Sequence, residues 1–231
     1  MSKAKRKEEA IERKEAQQKR IVAIALGVVL LAGIIFAVVD LGGPAPSVET
    51  TSDPRVAALA SEQAATMGSP DARVHIVEFI DPACGTCALF YPMVKQWLNE
   101  APDKLRLSVR HVPFHEGVDY AVRVLEASRE QDKYWETLET LLMTQRQWVT
   151  NHVVQRDRVL PAIAAVGLDL EKLQADMNSP AVLARMERDQ QDAITLKVSA
   201  TPEYFVNGRP LPSFGQQQLL DLVREELEKA Y

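Results

Sequence analysis

Two cysteines stand in this 231-residue chain, as Cys84-Gly85-Thr86-Cys87, directly behind the apolar run from Val74 to Ile80. No third cysteine is present to close a structural bridge or to build a four-thiolate metal site, so the pair points to redox chemistry. The pattern also constrains the backbone. A strand that ends ahead of the first cysteine and a helix that opens behind it hold Cys84 where free backbone N–H groups and the helix dipole favour a negative sulfur. A Cys84 thiolate can attack a disulfide to give a mixed disulfide, and Cys87, one helical turn on, can displace the partner. Two intervening residues are few enough for the sulfurs to reach bonding distance.

Three other uses of the pair compete. Zinc would need about two more ligands, to be drawn from His75, His111, His115 and His152, and there is no second C-x-x-C. A purely structural disulfide across so short a loop would constrain little of the unfolded chain. A Cu(I) site on the two thiolates and a histidine is open chemically, because soft thiolates suit that ion, though no third soft ligand stands near Cys87. That site would belong to an assembly protein that binds copper without turnover.

The rest of the composition sets the compartment. A formal charge of −5, 46% apolar and 26% charged residues describe an ordinary globular chain with no sign of a nucleic-acid partner. The basic residues are unevenly placed: Lys3, Lys5, Arg6, Lys7, Arg13, Lys14, Lys19 and Arg20 face Glu8, Glu9, Glu12 and Glu15 within residues 1–20. Ile21 to Val39 then runs without a charge or a strong hydrogen-bonding side chain, close to what a helix needs to cross the hydrocarbon core. An export signal has a shorter apolar stretch, about 7–15 residues, and the only cleavage candidate is the weak small-residue stretch Gly42, Gly43, Ala45, Ser47. An uncleaved single-pass anchor in the inner, cytoplasmic membrane is expected. The positive-inside bias puts residues 1–20 in the cytoplasm and everything from about Asp40 outside it. Residues 40–53, rich in Gly, Pro, Ser and Thr, read as a flexible tether.

Residues 54–231 are enough to bury a core without disulfides or metals. Arg55 to Met67 predicts a first helix, broken by Gly68-Ser69-Pro70-Asp71. Val74 to Ile80 predicts a strand closed by Asp81-Pro82. A helix follows through Leu98, with Leu89, Phe90, Met93, Val94 and Trp97 at helical spacing and Pro92 as a kink. Leu105 to Val112 predicts a second strand, and about 118–197 a block that is helical almost throughout. Tyr204-Phe205-Val206, the turn dipeptide Asn207-Gly208 and Arg209-Pro210-Leu211 predict a hairpin. Gln216 to Lys229 closes the chain as an amphipathic helix. The order is βαβ, a helical insertion, then ββα.

Glu78-Phe79-Ile80-Asp81-Pro82-Ala83-Cys84-Gly85-Thr86-Cys87, with Thr201-Pro202-Glu203-Tyr204-Phe205-Val206-Asn207-Gly208 far downstream, resembles the DsbA-type branch of the thioredoxin superfamily. The resemblance extends in element order and size over residues 54–231. It implies an α/β thioredoxin-like fold with a helical insertion at about 118–197, Cys84 and Cys87 as the catalytic pair, and no cofactor beyond their disulfide. It implies that Pro202 is the family's cis-proline, lying against the active-site sulfurs and leaving adjacent backbone free to pair with a substrate peptide. Thr201 matches the position that tunes redox behaviour and substrate release. Glu78 matches a buried carboxylate that helps move the proton of the second cysteine, and alternation along 74–80 sets it with Val74 and Ile76 on a core-facing side. Pro92 matches a helix-kinking proline. One departure stands out: strong oxidases of this kind usually carry Pro-His between the cysteines, and the histidine stabilises the thiolate. Gly85-Thr86 offers a hydroxyl but no charge, so a less depressed Cys84 thiol and a milder potential are expected.

The expectation is an extracytoplasmic thiol:disulfide oxidoreductase acting on cysteine-containing exported proteins, in disulfide formation or isomerisation. The alternative is reduction of apocytochrome or other envelope clients. Its redox partner would be a membrane protein, a quinone-linked oxidase or a thiol reductant. The histidines read as surface or core residues, and His111 and His115, which bracket a strand end, leave a place near the site open.

Overall fold

The computed structural model describes residues 53–231; the expected span at 21–39, its basic lead and the tether up to residue 52 lie outside them. Among the described residues no helix is long and apolar enough to cross a membrane.

The centre of the fold is set by two runs of β-branched and aliphatic residues, β2 (Val74–Ile80) and β3 (Leu105–His111), which pair in parallel from Val74↔Leu105 to Ile80↔His111. Apart from the second residue of each, both strands are buried, as strands of a covered parallel pair must be. The crossover between them is α2 (Gly85–Glu100), with Pro92 inside it. β6 (Glu203–Val206) adds antiparallel to β2, and Asn207 and Gly208, both at positive φ, turn the chain into β7 (Arg209–Pro210).

The first helix departs from expectation. α1 covers only Pro54–Leu59, and Ala65–Gly68 is β1, antiparallel to the outer edge of β3, giving a five-stranded sheet in the order β1-β3-β2-β6-β7. Helix propensity of the alanines is a weak prior. The open backbone groups of β3 must find partners, and Thr66 Oγ1 also meets Ser108 Oγ at 2.7 Å across the pair. Gly68 closes the strand at φ +99, where a Cβ would collide with the Leu105 carbonyl.

The insertion runs through α3 (Val118–Ser128), α4 (Tyr134–Met143), α5 (Gln145–Trp148), α6 (Arg156–Ala162), α7 (Leu170–Asp176) and α8 (Pro180–Leu196). A two-residue hairpin, β4 (Val149–Thr150) and β5 (Val153–Val154), interrupts the helices. Its valines suit a strand, and Asn151 and His152 both take positive φ to turn it. α9 (Gln216–Ala230) closes the chain against the sheet.

The sheet separates two cores. Val74, Ile76 and Ile80 join Phe90, Leu125, Leu138, Trp148 and Tyr204 in the larger one; Val77, Phe79, Phe205, Ala58 and Leu196 form the smaller one behind it. A fully buried arginine ties the insertion to the sheet: Arg110 on β3 bonds Asp189 and Asp192 of α8, each at 2.5 Å, and the Ala58 carbonyl at 3.0 Å. Every nitrogen of its guanidinium is used.

Candidate active site

β2 delivers the chain to a tight turn in which the Cys84 N–H bonds the Asp81 carbonyl at 2.9 Å, and Cys84 is the N-cap residue of α2. Its backbone is extended, which sets its sulfur at the N-terminal end of the helix, toward the N–H groups of Thr86 and Cys87, without a formed cap hydrogen bond. The two cysteines are free thiols in very different surroundings. A hydrogen bond from the Cys87 thiol does most to bring Cys84 down from 9.0 to about 5; the Thr201 side chain and the N–H groups of Cys87 and Thr86 add to it against the opposing cost of burial. Cys87 has no exposed surface and is pushed far up, by burial first and then by its bond to Cys84 and the Glu78 charge. No histidine takes part: Gly85 is exposed and Thr86 half-buried, and it is the Thr86 backbone that acts on the sulfur.

Thr201 and Pro202 come to the same place from the far end of the chain. The Thr201–Pro202 peptide is cis, Pro202 is buried, and the Cys84 thiol donates to the Thr201 carbonyl at 3.3 Å. Glu78 lies under the site with no exposed surface. Its Oε1 accepts from the Tyr204 hydroxyl at 2.8 Å, whereas its Oε2 has no partner. Burial pushes this carboxyl up to about 8, the Tyr204 bond works against the rise, and the Cys84 charge adds to it.

Three further residues hold the loop. Asp81, fully buried, accepts from the N–H groups of Ala83, Phe114 and His115 and bonds His115 Nδ1, all at 2.7–2.8 Å. Gln145, at the start of α5, donates Nε2 to the carbonyls of Pro82 at 2.7 Å and Cys84 at 2.9 Å. His115 therefore reaches the active-site loop, settling for this residue what its place at a strand end leaves open. His111 points away, its Nε2 at 2.8 Å from the Tyr134 hydroxyl. Asp81 carries a sequence signal only as a strand terminator. Gln145 carries none, since it comes from the insertion. Tyr204 reads as a strand residue until its pairing with Glu78 is known. Among the described residues no cluster of three or more His, Cys, Asp or Glu side chains could hold a metal ion.

Known proteins share this fold. The family profile described as thioredoxin matches residues 60–224. A solved thioredoxin-like oxidoreductase from Silicibacter pomeroyi DSS-3 aligns with a TM-score of 0.65 at 30% identity, over 76% of this chain and 98% of that one. Wolbachia pipientis alpha-DsbA1 aligns with a TM-score of 0.66 over 77% of this chain and 97% of its own, and at 17% identity it speaks to the fold alone. A stretch of 144 residues is 35% identical to the Na(+)/H(+) antiporter NhaA of Herminiimonas arsenicoxydans, covering 62% of this chain and 22% of that protein. The chain thus spans about a fifth of the length of that relative, whose name describes the longer protein. Fold and site together define a thioredoxin-like thiol:disulfide oxidoreductase. The chain belongs to the thioredoxin family.

Proposed function

We propose that this chain is a membrane-tethered, extracytoplasmic enzyme of the DsbA type that donates disulfides to cysteine-containing exported proteins. The observation that carries this reading is the placing of the two thiols: Cys84 at the N-cap of α2 with its sulfur 3.3 Å from the Thr201 carbonyl beside the cis Pro202, and Cys87 one turn on with no exposed surface. The bond from Cys87 brings the Cys84 proton affinity down and burial pushes that of Cys87 up. A substrate thiolate attacks Cys84 of the Cys84–Cys87 disulfide, the bond breaks, and Cys87 leaves and takes a proton from Glu78. A second substrate thiolate then attacks its partner sulfur in the mixed disulfide and releases Cys84, which leaves readily because its proton affinity is low. Two electrons pass from substrate to enzyme. Stabilising the reduced Cys84 thiolate makes the disulfide the more oxidising form.

The cis Thr201–Pro202 segment would receive the substrate backbone beside Cys84. The exposed side chains of Leu89, Phe114 and Phe214 offer apolar surface on or next to the elements that carry the site. The apolar run at 21–39 and its basic lead supply the tether and the orientation. A quinone-linked membrane oxidase would reoxidise the pair.

Equilibrating the full chain with glutathione tests the direction. Disulfide donation expects a potential near or above about −180 mV, and a value near −270 mV would assign the chain to reduction of envelope thiols instead. Cys84→Ser should abolish oxidation of a reduced, unfolded substrate. After reduction of intact cells with a membrane-impermeant phosphine, a membrane-impermeant maleimide should label Cys84, and protection until lysis under the same reduction would overturn the location.

A further inference from the structure

We infer that Tyr204 is a positioning residue for proton transfer in this site: its hydroxyl holds the Glu78 carboxylate with one oxygen engaged and the other free to exchange the proton of Cys87. This deepens the reading of Glu78 given above and rests on it. The geometry is specific to the register of the sheet. Glu78 sits on β2 directly between Val109 of β3 and Tyr204 of β6, its two cross-strand partners. Val109 can donate nothing, so Tyr204 is the cross-strand neighbour able to bond the carboxylate. It does so through Oε1 at 2.8 Å, and Oε2 is left buried without a partner in the layer that holds Cys87. An orphaned buried oxygen has a cost, and the group it can serve is the buried thiol whose proton affinity the Glu78 charge raises.

The step is balanced within the site. When Cys87 resolves a mixed disulfide, its S–H proton passes to Glu78 Oε2, its sulfur bonds Cys84, the Cys84–partner bond breaks, and the partner leaves as a thiolate. In the opposite direction the Glu78 carboxylic acid returns the proton to Cys87. Both directions need Glu78 to change charge at a position with no exposed surface. The phenol hydrogen bond stabilises the ionised form and brings the carboxyl down toward working pH. Tyr204 also stacks on Phe90, with ring centroids 6.2 Å apart, and Tyr204→Phe keeps that packing while deleting the donor.

The test uses the full, reduced chain and a nitrobenzoate disulfide. Attack by Cys84 releases one coloured thiolate, and attack by Cys87 on the resulting mixed disulfide releases a second, whose rate is followed against pH. The wild-type rate of the second release should rise with a midpoint near 8. Tyr204→Phe should move that midpoint up by about one pH unit and slow the step about tenfold at neutral pH, the effect of losing one hydrogen bond to a charged group. Glu78→Gln should slow the step and abolish the inflection, and Glu78→Gln combined with Tyr204→Phe should be no slower than Glu78→Gln alone. If Glu78→Gln leaves the profile unchanged, the role of Glu78 itself fails. If Glu78→Gln acts as stated but the Tyr204→Phe profile superposes on wild type, or the two variants add independently, Tyr204 is only a packing residue and the inference is overturned.

Discussion

Two buried charged groups on neighbouring strands, Glu78 of β2 and Arg110 of β3, are handled in opposite ways. Arg110 has each guanidinium nitrogen engaged, by Asp189, Asp192 and the Ala58 carbonyl, with the Phe79 ring 5.5 Å beneath it. Glu78 keeps one oxygen orphaned. A saturated buried charge is hard to move and joins three elements of the fold. An unsaturated one is poised to gain or lose a proton, and the chain places it beneath its two thiols. Under the proposed function the difference separates a charge that builds the fold from one proposed to serve the chemistry.

The strongest way to break this comparison is to truncate the arginine. Arg110→Ala leaves Asp189 buried without a cation and Asp192 with only the part-exposed Arg188 at 3.0 Å, and should cost about 3–5 kcal/mol in denaturant unfolding at neutral pH. The Cys84 thiolate titration in the surviving folded protein should stay near 5, since Arg110 is not among the groups that act on that sulfur. A large shift of that midpoint would mean the two regions are coupled and the division is false. Replacing Arg110, Asp189 and Asp192 together by apolar residues of similar volume should recover most of the loss, because burial already raises the Asp189 carboxyl despite the arginine beside it.

Glu78 should respond with the opposite sign. Its carboxyl titrates near 4.5 when unfolded and about 8 when folded. The folded state therefore keeps a proton that the unfolded chain releases, and stability falls as pH rises from about 4.5 to 8, levelling above that. At pH 7 the cost is about 3 kcal/mol, from roughly 1.4 kcal/mol per pH unit. Glu78→Gln should thus be more stable than wild type by about this amount at pH 7 and equal to it below pH 4.5. Cys84 acts in the opposite sense in the reduced protein, its lowered thiol adding stability as pH rises from about 5 to 9. The variant must therefore be compared with wild type at each pH. A destabilised Glu78→Gln at pH 7 would place Glu78 with Arg110 as an architectural charge.

Much of this contrast could be read before any coordinates. Period-two alternation puts Glu78 on the core side of its strand, and the C-x-x-C after a strand and before a helix puts Cys84 at a helix N-terminus. The same reading fails where one segment's partner lies far away in the chain. The alanine-rich stretch after Leu59 satisfies a helical pattern, and only the open edge of β3 makes Ala65–Gly68 a strand. The Arg110 triad, the Tyr204–Glu78 bond and the Gln145 clamp depend on register and on packing between the insertion and the sheet, which local periodicity does not carry. The Cys84 thiol is legible only in part. The Gly-Thr dipeptide suggests a weaker stabilisation than a histidine gives, yet the donors that matter are Cys87, Thr201 and two backbone N–H groups, none visible in the identity of residues 85 and 86.

The smallest effect sharpens the boundary between the two regions, because Gln145 belongs by chain to the insertion and by contact to the active site. Its Nε2 bridges the Pro82 and Cys84 carbonyls, and the Ala88 N–H shares the latter at 3.2 Å. Gln145→Ala removes two neutral hydrogen bonds at a half-buried position that water can reach, so the stability loss should be about 1 kcal/mol. The clamp also fixes the Pro82–Ala83 and Cys84–Gly85 peptide planes, and with them where the Cys84 sulfur sits relative to the Thr86 and Cys87 N–H groups. Loosening them weakens the thiolate's support, and the Cys84 midpoint, followed by thiolate absorbance, should rise above about 5. An unchanged midpoint with the same small stability loss would show that the insertion only covers the site. A raised midpoint would make the insertion part of the redox machinery, acting through backbone geometry and carrying no charge of its own to the sulfur.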